Sequence, residues 1–221
     1  MESLEFRQSE VAFPVGSIEL NGDLVIPNTA RSLVIFAHGS GSSRFSPRNR
    51  FVARLLQEAG LATLLMDLLT PEEEAIDART AHLRFDVGML AQRLAAAADW
   101  ALDRLNSLDG LKIGFFGAST GAGGALIAAA QRPKSIAAVV SRGGRPDLAE
   151  DFLPKVEAPT LLIVGGADEV VIELNRKALA RLRVPKELRI VPGATHLFEE
   201  PGALEEVARL SRDWMLRYLE A

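Results

Sequence analysis

Six stretches of this chain are predominantly apolar and short: 33–37, 61–66, 111–116, 136–140, 160–164 and 188–191. A strand with one wet face alternates apolar and polar residues, so an unbroken apolar run marks a strand covered on both faces. Helical stretches lie between these runs. In 83–105, Leu83, Val87, Leu90, Leu94, Ala98, Ala101 and Leu105 recur at steps of three and four, which lines one side of a helix. Residues 204–218 do the same with Leu204, Val207, Ser211, Trp214 and Tyr218, and further helices are expected at 48–59, 120–131 and 171–182. Strands alternating with helices build right-handed βαβ units around a mostly parallel sheet.

The N-terminal part departs from this pattern. Residues 16–28 alternate, and Asn21-Gly22 is a two-residue hairpin signal because both turn positions need positive φ. The expectation is an α/β fold in one domain spanning 1–221. Its central sheet has about eight strands, with helices on both faces and an antiparallel start. In such sheets ligands bind beyond the carboxyl ends of the strands, so chemically able residues should follow the apolar runs.

Composition removes several classes of function. There is no cysteine, which excludes disulfides, thiolate metal sites and a cysteine nucleophile. The formal net charge of −4 gives no reason to expect nucleic acid or an anionic membrane as partner. The first residues are acidic and read as no signal peptide, and no run reaches the roughly 20 apolar residues that span a bilayer. A cytoplasmic protein that is a monomer or homodimer, with neither metal nor cofactor, is the expectation.

Residues able to do chemistry do follow the runs. Gly117-Ala118-Ser119-Thr120-Gly121 lies between the run 111–116 and an expected helix, the context of a nucleophile elbow. That sharp turn exposes the serine Oγ and sets the Thr120 N–H at a helix N-terminus, where it can hold an oxyanion. The serine needs a base. Of the three histidines, His196 follows the run 188–191, whereas His38 reads as a loop tie and His82 as a helix-start or surface residue. Asp168, after the run 160–164, is positioned to orient the imidazole; Glu169 is its nearest rival, with Asp147 and Asp151 weaker ones. The chain order Ser119, Asp168, His196 is the α/β-hydrolase order. The loop His38-Gly39-Ser40-Gly41 follows the run 33–37, and a second oxyanion donor is expected from the Ser40 N–H, with Gly41 as the alternative. Among the loop arginines, Arg44 and Arg142 are candidates for binding an anionic part of the substrate.

With these residues in view the chain resembles the dienelactone hydrolase group of α/β-hydrolases. The resemblance spans nearly the whole chain and rests on 38–44, 117–121, 165–168 and 193–198. It implies cofactor-free hydrolysis of a small ester or lactone through an acyl-enzyme, with Ser119 as nucleophile, His196 as base and Asp168 as orienting acid. Thioesters fit the same chemistry. One departure is that the family's cysteine nucleophile is a serine here. Similar domains are also found joined to a phosphoribosyltransferase-like domain. The spacing between 136–140 and Asp168 leaves no room for an inserted cap domain, so an open site is expected. The same triad could pass its acyl group to an acceptor other than water, peroxide included. From a different class, the fold could serve as a non-catalytic binding module.

Overall fold

A computed structural model describes residues 5–105, 108 and 110–220; the acidic start, residues 1–4, lies outside the described residues. One eight-stranded sheet organises the chain, in spatial order β1-β2-β4-β3-β5-β6-β7-β8. Its strands are β1 (Phe6–Val15), β2 (Ile18–Pro27), β3 (Ser32–Ala37), β4 (Ala62–Met66), β5 (Lys112–Ala118), β6 (Ile136–Arg142), β7 (Thr160–Gly165) and β8 (Lys186–Val191). β2 pairs antiparallel with β1 and with β4, and the pairings from β4 through β8 are parallel. β3, β4 and β7 are buried at every position, as their apolar runs require.

The helices are α1 (Pro47–Glu58), α2 (Pro71–Thr80), α3 (Val87–Arg104), α4 (Thr120–Gln131), α5 (Glu169–Arg181) and α6 (Ala203–Leu219). α1 and α6 cover one face, where Val52, Leu56, Val207 and Trp214 close over Phe36, Phe116 and Val140. α3, α4 and α5 cover the other, where Leu94, Leu126 and Ala178 join the cluster around Ile35 and Phe115. The stripe expected on the final helix thus faces the sheet. Met215 comes close enough to β5 that a side chain at Gly114 would strike its Sδ at 2.8 Å.

Three local expectations differ from the structure. The hairpin turn is Gly16-Ser17, not Asn21-Gly22, and the latter pair sits within β2 opposite Ala12 and Val11. A Cβ on Gly22 would lie 2.7 Å from Leu64 Cδ1 of β4 and 3.3 Å from the Leu65 carbonyl oxygen, so a larger residue would require the Leu64 side chain to shift. The expected helix 83–105 begins instead at Val87. Leu83–Phe85 forms a 3-10 turn, and the Asp86 side chain accepts from the Met89 N–H at 2.9 Å to cap α3. Apolar periodicity also passes over α2, which buries only Asp77. Its signal is polar: Pro71 opens the helix, and Thr70 and Glu73 form a reciprocal capping box.

Candidate active site

β3, β5, β6, β7 and β8 are consecutive neighbours, and the residue that follows each, or ends it, faces one edge of the sheet. Sequence-distant side chains are brought together there. Ser119 follows β5, Arg142 ends β6, Asp168 follows β7, His196 follows β8, and the loop from His38 follows β3.

Ser119 has φ 50° and ψ −120°, a conformation that L-residues rarely adopt. The backbone around it enforces the turn. The Ser119 N–H donates to the Arg142 carbonyl at 3.2 Å, and its own carbonyl accepts from the N–H groups of Ala122 (3.1 Å) and Arg145 (3.0 Å). A Cβ on Gly121 would stand 2.4 Å from the His38 carbonyl oxygen, and one on Gly117 would stand 2.4 Å from Ala122 Cα. The motif glycines therefore let β3, β5 and α4 meet around the serine. Ser119 Oγ donates to no acceptor among the described residues.

The loops carrying Asp168 and His196 are joined to each other. Gly166 N–H donates to the Val191 carbonyl at 2.8 Å and Ala167 N–H to the Ala194 carbonyl at 2.9 Å. At the end of that registration, Asp168 Oδ2 lies 2.7 Å from His196 Nδ1. With a carboxylate as acceptor, Nδ1 carries the proton and Nε2 keeps its lone pair. The rivals are elsewhere: Glu169 is exposed at the first turn of α5, Asp147 pairs with Arg145 at 2.7 Å, and Asp151 is exposed.

Ser119, His196, Ser40 and Arg142 line one cleft of about 170 Å³. Through Gly39, Ser40, Ser42 and Ser46 it adjoins a larger cavity of about 530 Å³. Leu68, Leu69, Leu90 and Phe45 supply the apolar wall of that cavity, and α2 contributes Glu74, Asp77 and Ala78 to it. Burial and the nearby Asp67 carboxylate raise the Glu74 pKa. Ser40 Oγ and Thr120 Oγ1 are 2.9 Å apart, which ties the β3 loop to the start of α4. Neither the Ser40 nor the Thr120 N–H has an acceptor among the described residues.

His38 is the loop tie that its position suggests. Its Nδ1 faces the Gly39 carbonyl at 3.0 Å, and its Nε2 accepts the Leu68 N–H at 3.0 Å. Burial holds this imidazole below its ordinary pKa of 6.5, so it stays neutral. His82 is exposed, beside the Thr80 hydroxyl at 2.7 Å. Arg44, expected to bind substrate, is committed elsewhere. It sits among Glu10 (2.5 Å), Asp67 (3.3 Å) and Asp23 (3.5 Å), outside the cleft around Ser119, and fixes the β3 loop to β1, β2 and the end of β4. Arg142 does line the cleft. Arg48, another of the arginines near the loops, and Asn49 of α1 line it too; Asn49 carries no signal in the sequence pattern.

Residues 20–220 match the model of the dienelactone hydrolase family. The chain is 61% identical to a dienelactone hydrolase of known structure from Anabaena variabilis, with TM-score 0.94 over 97% of this chain and 99% of that one. It superposes on Est1E from Butyrivibrio proteoclasticus with TM-score 0.80 at 20% identity, covering 96% and 99% of the two chains, a likeness of fold alone. A putative phosphoribosyl transferase of Mycobacterium tuberculosis is 54% identical over 213 residues, which are 96% of this chain and 47% of that protein. The chain thus spans about half the length of that curated relative. Among the described residues, no helix is long and apolar enough to cross a membrane. With an α/β-hydrolase sheet and a family match that runs from β2 to the end of α6, the chain belongs to the dienelactone hydrolase family of hydrolases.

Proposed function

We propose that the protein is a serine hydrolase that cleaves a carboxylic ester, lactone or thioester of a small substrate through an acyl-enzyme. The observation that carries this reading is the pairing of His196 Nδ1 with Asp168 Oδ2 at 2.7 Å, with His196 lining the cleft that also holds Ser119 on its strained turn. His196 Nε2 takes the hydroxyl proton as Ser119 Oγ bonds to the acyl carbon, and Asp168 stabilises the imidazolium that results. The Thr120 and Ser40 N–H groups hold the developing oxyanion. The cleft is lined by Ser40 and not by Gly41, which favours Ser40 as the second donor. The imidazolium then protonates the leaving alcohol or thiol. Water, deprotonated by His196, attacks the acyl-enzyme and releases the acid, so no further reactant is needed. The hydroxyl–imidazole contact is one that often closes only around substrate.

The phosphoribosyl transferase name of the curated relative is not carried to this chain, because the matched stretch is 47% of that protein and bears the hydrolase family match. The test is covalent labelling with a fluorophosphonate probe, read by mass spectrometry. An adduct on Ser119 that the Ser119→Ala variant lacks is expected. Failure of the folded wild-type protein to react would overturn the reading in favour of a binding module.

A further inference from the structure

The loop that follows β6, Gly143-Gly144-Arg145, meets both the nucleophile and the base. The Arg145 N–H donates to the Ser119 carbonyl at 3.0 Å. A Cβ on Gly143 would lie 3.2 Å from the His196 carbonyl oxygen and 3.5 Å from the imidazole Cε1. The loop is pressed onto β6 and α4, since a side chain at Gly144 would collide with Ser141 and with Ala122, whose N–H also donates to the Ser119 carbonyl. From α5 the same loop is gripped by Asn175. Its Nδ2 donates to the Gly144 carbonyl at 3.0 Å and to the Val171 carbonyl, one turn earlier in its own helix, at 2.8 Å. Two carbonyl oxygens facing one side of the amide fix that side as the donor.

Asparagine is an unfavourable choice for this position. It is fully buried inside a helix, where its propensity is low, and its Oδ1 has no donor among the described residues. The other buried residues of α5, Val171, Ile172 and Ala178, are apolar. An apolar side chain would avoid the desolvation of the amide, so the bond to Gly144 is what the asparagine contributes. α5 is also the helix that Asp168 opens, and the Asp168 carbonyl accepts the Ile172 N–H at 2.9 Å. One side chain thus ties the helix that follows the acid to the loop that meets the serine and the base.

We propose that Asn175 is a positioning residue of the triad, holding loop 143–145 against α5 so that the Ser119 turn and the His196 ring stay within reach of each other. It lines neither the cleft nor the adjoining cavity, so it acts through the loop and not on the substrate. The Asp168–His196 pair has its own registration through the Gly166 and Ala167 N–H groups. Loss of the Asn175 bond therefore loosens the serine relative to that pair and leaves the pair itself in place. A misplacement of about 1 Å between reacting groups costs on the order of 100-fold in rate, while the walls that bind a small ester are unchanged. This inference rests on the serine-hydrolase reading and adds a residue to it.

The test measures kcat and KM for 4-nitrophenyl acetate, and the rate of fluorophosphonate labelling, in the wild type, Asn175→Leu, Asn175→Ser and Leu182→Ala. Urea unfolding gives the folded fraction of each. Leucine has the branched shape of asparagine without its donor. The serine hydroxyl can bond the Val171 carbonyl, as Ser211 bonds Val207 at 2.7 Å in α6, but it is too short to reach Gly144. Leu182, buried at the end of α5, is the control for destabilisation that leaves the bond intact. Both Asn175 variants should lose roughly 10- to 100-fold in kcat per folded molecule, with KM within about threefold of wild type. Leu182→Ala should lose stability and keep kcat. If the wild type does not cleave this ester, the labelling rate of Ser119 takes the place of kcat, with the same losses expected. A wild-type rate in a folded Asn175 variant, a loss carried by KM, an equal loss in Leu182→Ala, or failure of both Asn175 variants to fold would each overturn the positioning role. With wild-type Ser119 labelled, those outcomes leave the hydrolase reading standing. Without labelling, the hydrolase reading falls and the positioning role falls with it.

Discussion

Replacing Ser119 by glycine should make the protein more stable while removing its activity. The residue sits at φ 50° and ψ −120°. Holding a side chain in so sparsely populated a region costs roughly 1–3 kcal/mol. A Ser119→Ala variant keeps the Cβ and therefore the strain. It loses no hydrogen bond, because Ser119 Oγ donates to no acceptor among the described residues. A Ser119→Gly variant sheds the strain, offset by roughly 0.5–1 kcal/mol for the greater freedom of glycine in the unfolded chain. The net expectation is that the glycine variant exceeds the alanine variant by up to about 2.5 kcal/mol, or up to roughly 10 °C in Tm for a domain of this size. Urea unfolding followed by circular dichroism measures the difference, and equal m-values confirm that the same transition is compared. At an unstrained position the order is reversed, with glycine the less stable. A glycine variant no more stable than the alanine variant would refute the claim that the elbow stores backbone strain.

Two further outcomes test the assignments around it. Asp168→Asn should lower kcat/KM by roughly three to four orders of magnitude through loss of the imidazole tautomer and its counter-charge, whereas Glu169→Gln should stay near wild type; steady-state kinetics with the reverse ranking would exchange the two acids. His38 gives a pH signature in stability. Its folded pKa lies below the unfolded 6.5, so the unfolded chain binds the extra proton as pH falls. Stability relative to His38→Gln should therefore be constant above about pH 6.5 and should decline below it by up to about 1.4 kcal/mol per pH unit, until the folded pKa is reached. Denaturant melts of both proteins from pH 8 to pH 5 measure this, and parallel curves would remove His38 as a buried neutral group.

The family was legible in the chain because its pattern is local. A Gly-x-Ser-x-Gly turn between an apolar run and a helix, with Asp168 and His196 after later runs, needs only residue order and periodicity to be read, and the structure brings the last two within 2.7 Å. The sheet interior was legible for the same reason, since a strand covered on both faces is apolar throughout and β3, β4 and β7 are buried at every position. Signals whose meaning depends on neighbours were misread. Asn21-Gly22 has the composition of a turn, yet it lies inside β2, where Gly22 pairs with Val11 of β1 and Met66 of β4. α2 escaped a periodicity argument because it has almost no buried face, although its capping box was present in the sequence.

The amino-acid sequence by itself therefore determined the class of sheet, most of its elements and the family, and it singled out Ser119, Asp168 and His196 as candidates, all through short-range pattern. The tertiary structure alone decided which charged side chains are compensated. Arg44 and Arg142 look alike in sequence, each in or beside a loop that follows an apolar run. The first is surrounded by Glu10, Asp23 and Asp67, and the second is buried beside Asn49 with no carboxylate partner among the described residues. A charge acquires its meaning from the groups within a few ångströms of it, and those groups come from strands and helices far apart along the chain.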